Sequence, residues 1–145
     1  MPANNITSAN AVIMLSIPEV FSAPQQIQGF SAENVFSTDQ LVIAETQMGV
    51  DGQFAAGFVF VPIPQRFSLM ASSPSVSIFD AWYNAMQTAL SIIRATAVIQ
   101  LPAIDRKWTM LDGVLTGYPL LPDAGRVLAP RQFTITWGRA QPAPV

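Results

Sequence analysis

Four residues in a row, Phe58, Val59, Phe60 and Val61, constrain this chain more than any other stretch. They follow a segment rich in turn chemistry, with Gly49, Asp51 and Gly52 in four positions. A strand sends alternate side chains to opposite faces, so this run places large apolar groups on both. One face can enter the core of a small domain. The other needs a cover, and the sequence leaves two open: the chain's own helix, favoured for part of that face, or a second chain.

Charge sharpens the question. Seven Lys and Arg and nine Asp and Glu amount to 11% of the 145 residues, where about 25% is usual. A folded monomer of 15.7 kDa exposes roughly 7,000 Å², so most of this surface carries no charge and invites association. A net charge of −2 offers no basic stripe for nucleic acid. The most apolar stretch, 92–101, is broken by Arg94 and Gln100 and ends at Pro102, short of the roughly 20 apolar residues that span a bilayer. The opening "MPANNITSANAVIMLSIPEV" lacks the basic n-region of a signal peptide. Other protein chains are therefore the expected cover, and no membrane insertion is expected.

The length suits one domain, 1–145, with an N-terminal arm over about 1–9 and a Pro-rich C-terminal arm over about 139–145. The pattern between them is mainly β with one helix. "NAVIMLSI" (10–17), "QQIQGF" and "NVFST" read as strands. Two apolar runs flanking the Gly-Val-Asp-Gly tip predict an extended hairpin over about 41–61. "RFSLMA" and "RQFTITWG" alternate cleanly. "KWTMLDGVLTGYPLL" reads as two short strands about a tight turn at Asp112-Gly113. The helix is predicted over about 75–91, with Ser75 as N-cap and Val76, Phe79, Tyr83, Met86 and Leu90 as the buried stripe. Trp82 lies beside that stripe.

Catalysis has little to work with. Absent Cys and His remove thiol chemistry, the commonest general base and the commonest metal ligand. No two carboxylates fall within five positions of each other. The glycines Gly49, Gly52 and Gly57 lack the strand-to-helix context and the lysine of a phosphate loop. The expectation is a protein that is not an enzyme and needs no metal or cofactor.

Four segments, "MGVDGQFAAGF", "FSLMASSPSVSIFDAWYNAM", "LPAIDRKWTMLDGVLTGYP" and "RVLAPRQFTITWG", occur in this order. Together they resemble the tail tube proteins of bacteriophages with contractile tails, which are related to tube subunits of type VI secretion systems and contractile bacteriocins. The resemblance implies a small β-barrel or rolled β-sandwich with a flanking helix. It implies homo-hexameric rings stacked into a hollow tube, in contact with sheath, tape-measure and baseplate proteins. DNA would pass through the bore without specific binding. The virion tail would be its location, after assembly in the host bacterial cytoplasm. In such proteins a hairpin reaches adjoining subunits, which here makes Met48, Gly49, Val50, Asp51, Gly52, Gln53 and Phe54 the candidate inter-subunit or inter-ring residues. The alternatives are a tail-terminator or baseplate-proximal ring protein, and a small-ligand-binding β-barrel whose apolar strands line a pocket.

Overall fold

The computed structural model describes residues 11–30 and 35–144. The predicted N-terminal arm lies outside them. Ten strands and one α-helix follow in the order β1 (Val12–Ser16), β2 (Gln25–Gln26), β3 (Phe36–Thr38), β4 (Ala44–Met48), β5 (Phe54–Phe58), β6 (Ile63–Leu69), α1 (Val76–Ala89), β7 (Ala95–Leu101), β8 (Arg106–Gly117), β9 (Arg131–Trp137) and β10 (Arg139–Pro144). The mainly β, one-helix class is as the periodicity predicts.

Eight strands join through antiparallel pairs in the order β2-β1-β7-β8-β9-β6-β3, with β10 also on β8. The ends of that path, β2 and β3, do not pair with each other. The fold is an open sandwich-like roll, not a closed barrel. It is built on β8, whose residues 106–111 pair with β10 while 114–117 pair with β9. Strands that turn a corner between two layers do so at bulges, and the corner here has three parts. Asp112 takes φ 56°. Gly113 follows, and a Cβ there would lie 2.3 Å from the Trp137 ring. Gly138 sits opposite, where a Cβ would come to 3.0 Å from that of Asp112.

Two expectations are corrected by this corner. Asp112-Gly113 does not turn the chain back; β8 runs through it as one strand of 12 residues. The predicted C-terminal arm is largely strand β10, paired with β8 from Arg139↔Leu111 to Pro144↔Arg106. Prolines are tolerated there because, among the described residues, no further strand joins β10.

The core gathers where alternation is cleanest. β9 buries Arg131, Phe133, Ile135 and Trp137, and β6 buries Ile63, Gln65, Phe67 and Leu69. Gln65 is satisfied by the Trp137 indole N–H at 2.9 Å. Helix α1 lies against this layer through Phe79, stacked on Phe133 with centroids 4.3 Å apart. Trp82, outside the predicted stripe, is fully buried and donates its indole N–H to the Ile93 carbonyl at 2.8 Å. Leu90, inside that stripe, is exposed, because the helix ends at Ala89 and Leu90 turns outward with φ 53°.

Ser75 occupies the N-cap position but its hydroxyl makes no cap bond. It accepts the Gln28 backbone N–H at 2.7 Å instead. Ser73 donates to the Gln28 carbonyl. The two serines thereby tie the helix start to the segment after β2. Gly29, at φ 74°, fits only without a side chain, since a Cβ would lie 2.5 Å from the Ser73 hydroxyl.

The helix is also tied to the 118–130 loop. Tyr118 donates its hydroxyl to the Asp80 carboxylate and stacks on Tyr83 with centroids 4.3 Å apart. Arg131 donates to Asp80 at 3.3 Å and to the Pro119 carbonyl at 2.6 Å. Burial, and then the bond to Asp80, hold the Tyr118 hydroxyl protonated above the usual tyrosine range. A pKa raised by folding contributes stability below the unfolded value of about 10, which is lost as pH rises through the folded value. Urea midpoints should therefore fall more steeply for the wild type than for Tyr118→Phe between about pH 9 and about pH 11. Equal slopes would show that this hydroxyl is not coupled to folding.

Candidate assembly surface

β4 and β5 form a two-stranded ladder separate from the large sheet, in register Ala44↔Phe58, Thr46↔Ala56 and Met48↔Phe54. All ten residues of the two strands are exposed. The tip is well ordered by its own bonds. The Gly49 N–H donates to the Gln53 carbonyl at 2.7 Å, and the Gly52 N–H to the Gly49 carbonyl at 3.0 Å. Asp51 Oδ1 accepts the Gln53 N–H at 3.1 Å. Gly52 supplies the left-handed φ of 87° that this turn requires.

Period-two alternation gives the hairpin two unlike faces. Ala44, Thr46, Met48, Phe54, Ala56 and Phe58 share one, and Val42 and Phe60 extend it at the base by the same parity. Glu45, Gln47, Gln53, Ala55 and Gly57 share the other, which Ile43 and Val59 extend at the base. Apart from Thr46 the first face is an apolar strip, with Phe58 and Phe60 in edge-to-face contact at 5.0 Å. Its members stand in solvent: Met48 is 63% exposed, Phe54 65%, Phe58 67% and Phe60 92%.

This corrects the expectation that the helix covers part of the Phe58–Val61 run. Val59 and Val61 are partly buried, whereas among the described residues neither the helix nor any other element covers Phe58 and Phe60. All seven candidates, Met48 to Phe54, lie together at the exposed hairpin tip. Val42, Phe58 and Phe60 were not among them. Alternation puts them on one face with Met48 and Phe54 but does not say that this face is the exposed one.

Between the layers of the large sheet, Ile99, Trp108 and Met110 line a cavity of about 420 Å³ together with Phe36, Ile63 and Gln65. Leu41, at the hairpin's root, and Ala140 of β10 complete its mouth. Among the described residues no three carboxylates gather as a metal site, and no helix is long and apolar enough to cross a membrane.

A family model described as "Tail fiber protein gp32" matches residues 4–141. The chain belongs to the tail fiber protein gp32 family. No curated protein matches it. Solved structures of similar fold include chains from contractile injection systems. A chain in the structure of the anti-feeding prophage tube-terminating cap superposes with a TM-score of 0.60 at 12% identity, covering 100% of this chain and 95% of that one. A chain in the anti-feeding prophage baseplate gives 0.59 at 15%, covering 100% and 97%. A chain in the sheath/tube terminator of the PVC extracellular contractile injection system, in its extended state, gives 0.56 at 14%, covering 95% and 96%. The phage-tail character read from the sequence agrees with these matches, although the family found is tail fiber protein gp32, not a tail tube family.

Proposed function

We propose that this gp32-family chain is a ring-forming structural protein at an end of a contractile tail tube, as a terminator, cap or baseplate-proximal ring. The observation that carries the reading is the hairpin, a two-stranded ladder whose apolar strip no other described residue of its own chain covers. A monomer has no use for such a strip. Fold likeness over nearly the full length to chains in a cap, a baseplate and a terminator structure supports a place at the tube's end.

The protein works by shape and contact, without catalysis or cofactor. Its neighbours are further copies of itself and tube, sheath and baseplate proteins of the virion tail, assembled in the host cytoplasm. DNA passes the ring without specific binding, because nine acids and seven bases give phosphates little to hold.

A second reading, the repeating subunit of stacked hexameric rings, is favoured by the likeness to a chain in the PVC sheath–tube complex, with a TM-score of 0.52 at 14% identity. Negative-stain electron microscopy of the purified protein over a concentration series separates the two. Discrete rings of uniform width are expected. Long tubes would overturn the terminal position in favour of the repeating subunit. Monomers at every concentration that bind an apolar dye tightly would favour a ligand-binding role for the cavity.

A further inference from the structure

The sequence holds two Asp-Gly steps and no Asn-Gly step: Asp51-Gly52 at the hairpin tip and Asp112-Gly113 at the corner of β8. We infer that Asp51-Gly52 is a site of spontaneous covalent modification, where the folded chain converts aspartate to isoaspartate through a succinimide. The corner of β8 withholds the same reaction from Asp112-Gly113. Neither statement depends on how the chain assembles.

The reaction is an attack within the chain. The Gly52 backbone nitrogen adds to Cγ of the protonated Asp51 carboxyl, and a C–N bond forms. The carboxyl hydroxyl departs with the amide proton as water, which closes a five-membered succinimide. Solvent water then adds to either ring carbonyl. Opening at Cγ restores aspartate. Opening at the Asp51 main-chain carbonyl breaks the original peptide bond and leaves the chain running through Cβ and Cγ. The water lost is regained, so mass and net charge are unchanged.

The tip leaves the reacting atoms accessible. Glycine puts no Cβ beside the attacking nitrogen. Asp51 and Gly52 are both exposed, and at Gly52, with φ 87°, a Cβ would meet nothing within 4 Å. That leaves space for a planar ring. Asp51 Oδ1 reaches forward to accept the Gln53 N–H at 3.1 Å, which folds the carboxyl over the intervening Gly52 unit. The Gly52 N–H donates to the Gly49 carbonyl at 3.0 Å, a bond within the turn itself. Residues 42–58 are all exposed, and exposed turn bonds of this kind open at little cost.

The corner of β8 differs at the glycine. Gly113 is buried and pairs with Ala95 in the ladder. A Cβ there would lie 2.3 Å from the Trp137 ring and 3.1 Å from the Ala95 carbonyl. Bringing the Asp112 carboxyl onto the Gly113 nitrogen means moving this backbone against Trp137, which is fully buried. That is an opening of the core, not of a turn. At the tip the product has a consequence of its own. The added main-chain carbon lengthens the turn closed by the Gly49 N–H to Gln53 carbonyl bond at 2.7 Å, which sets Met48 opposite Phe54.

The paired steps supply an internal control. Folded protein, and protein unfolded in guanidinium chloride, are incubated for several days at about pH 5, where carboxyls are more protonated than at neutrality. Trypsin separates the sites, because cleavage after Arg66 and Lys107 leaves Asp51 in 1–66 and Asp112 in 108–126. Electron-transfer fragmentation cuts the Cα–Cβ bond that isoaspartate places in the main chain, and so counts the isomer at each position. Isoaspartate at Asp51 should exceed that at Asp112 by about tenfold or more in the folded protein, and by no more than about twofold in the unfolded one. Asp51→Glu, whose longer side chain would have to close a six-membered ring, should leave the tip unmodified. Equal isomer at both sites of the folded chain, or isomer at neither, would overturn the inference. So would the same excess at Asp51 after unfolding, which would assign it to neighbouring sequence and not to the fold. Isomer persisting undiminished in 1–66 of Asp51→Glu would place the reaction elsewhere.

Discussion

Trp82→Ala should destabilise the folded chain by about 3–5 kcal/mol, the cost of removing a large aromatic from a packed core. Trp82 is fully buried, stacked beside Phe79 with centroids 6.4 Å apart. Its indole N–H satisfies the Ile93 carbonyl, which alanine would leave without that partner. The loss is a large share of the roughly 7–20 kcal/mol that a domain of this length has in total. Trp82→Phe keeps most of the ring and removes the donor, so it should cost less, about 1–3 kcal/mol. Urea unfolding followed by circular dichroism measures both. A Trp82→Ala cost below that of Trp82→Phe would show that the helix is not anchored here.

The prominence of Trp82 could not be read from spacing. Helical periodicity defines a stripe but not its centre, and the packed face here is set by Phe79 meeting Phe133 on a strand more than fifty positions away. β9 was legible because its alternation of apolar and polar residues matches a half-buried strand at every position from Gln132 to Trp137. Asp112-Gly113 misled because the chemistry that lets a chain reverse also lets it bend. Which of the two happens depends on Trp137 and Gly138 packed against it, and those contacts are non-local. The strand at 139–144 was hidden for a related reason: proline content argues against a central strand but says nothing about an edge whose partner lies some thirty positions back. At the hairpin, turn residues and flanking apolar runs were enough to place the tip. They could not say which face the domain would cover. Strand periodicity assigns two faces and labels neither, so the uncovered face of Phe58 and Phe60 became visible only in three dimensions.

That uncovered face makes the second large effect specific. Phe54→Asp combined with Phe58→Asp should abolish self-association while leaving the fold intact. Both side chains are about two-thirds exposed in the isolated chain, so neither change empties the core, and the unfolding midpoint should stay within about 0.5 kcal/mol of wild type. In an assembly the same positions would be desolvated. Truncating an interface aromatic that acts as an anchor costs about 2 kcal/mol or more, and a carboxylate adds the penalty of burying an unpaired charge. The pair should weaken association by about a thousandfold or more, at about 1.4 kcal/mol per tenfold. The control is the opposite face. Gln47→Asp with Gln53→Asp introduces the same charge on the same hairpin, so a general effect of net charge would appear equally in both variants. Sedimentation velocity over a concentration series reads the comparison directly. Loss of assembly only in the phenylalanine variant would assign the contact to the apolar strip. Equal loss in both would mean that neighbouring chains enclose the hairpin on both faces. Retention in both would remove the hairpin from the interface, leaving its exposed aromatic strip without a role in assembly.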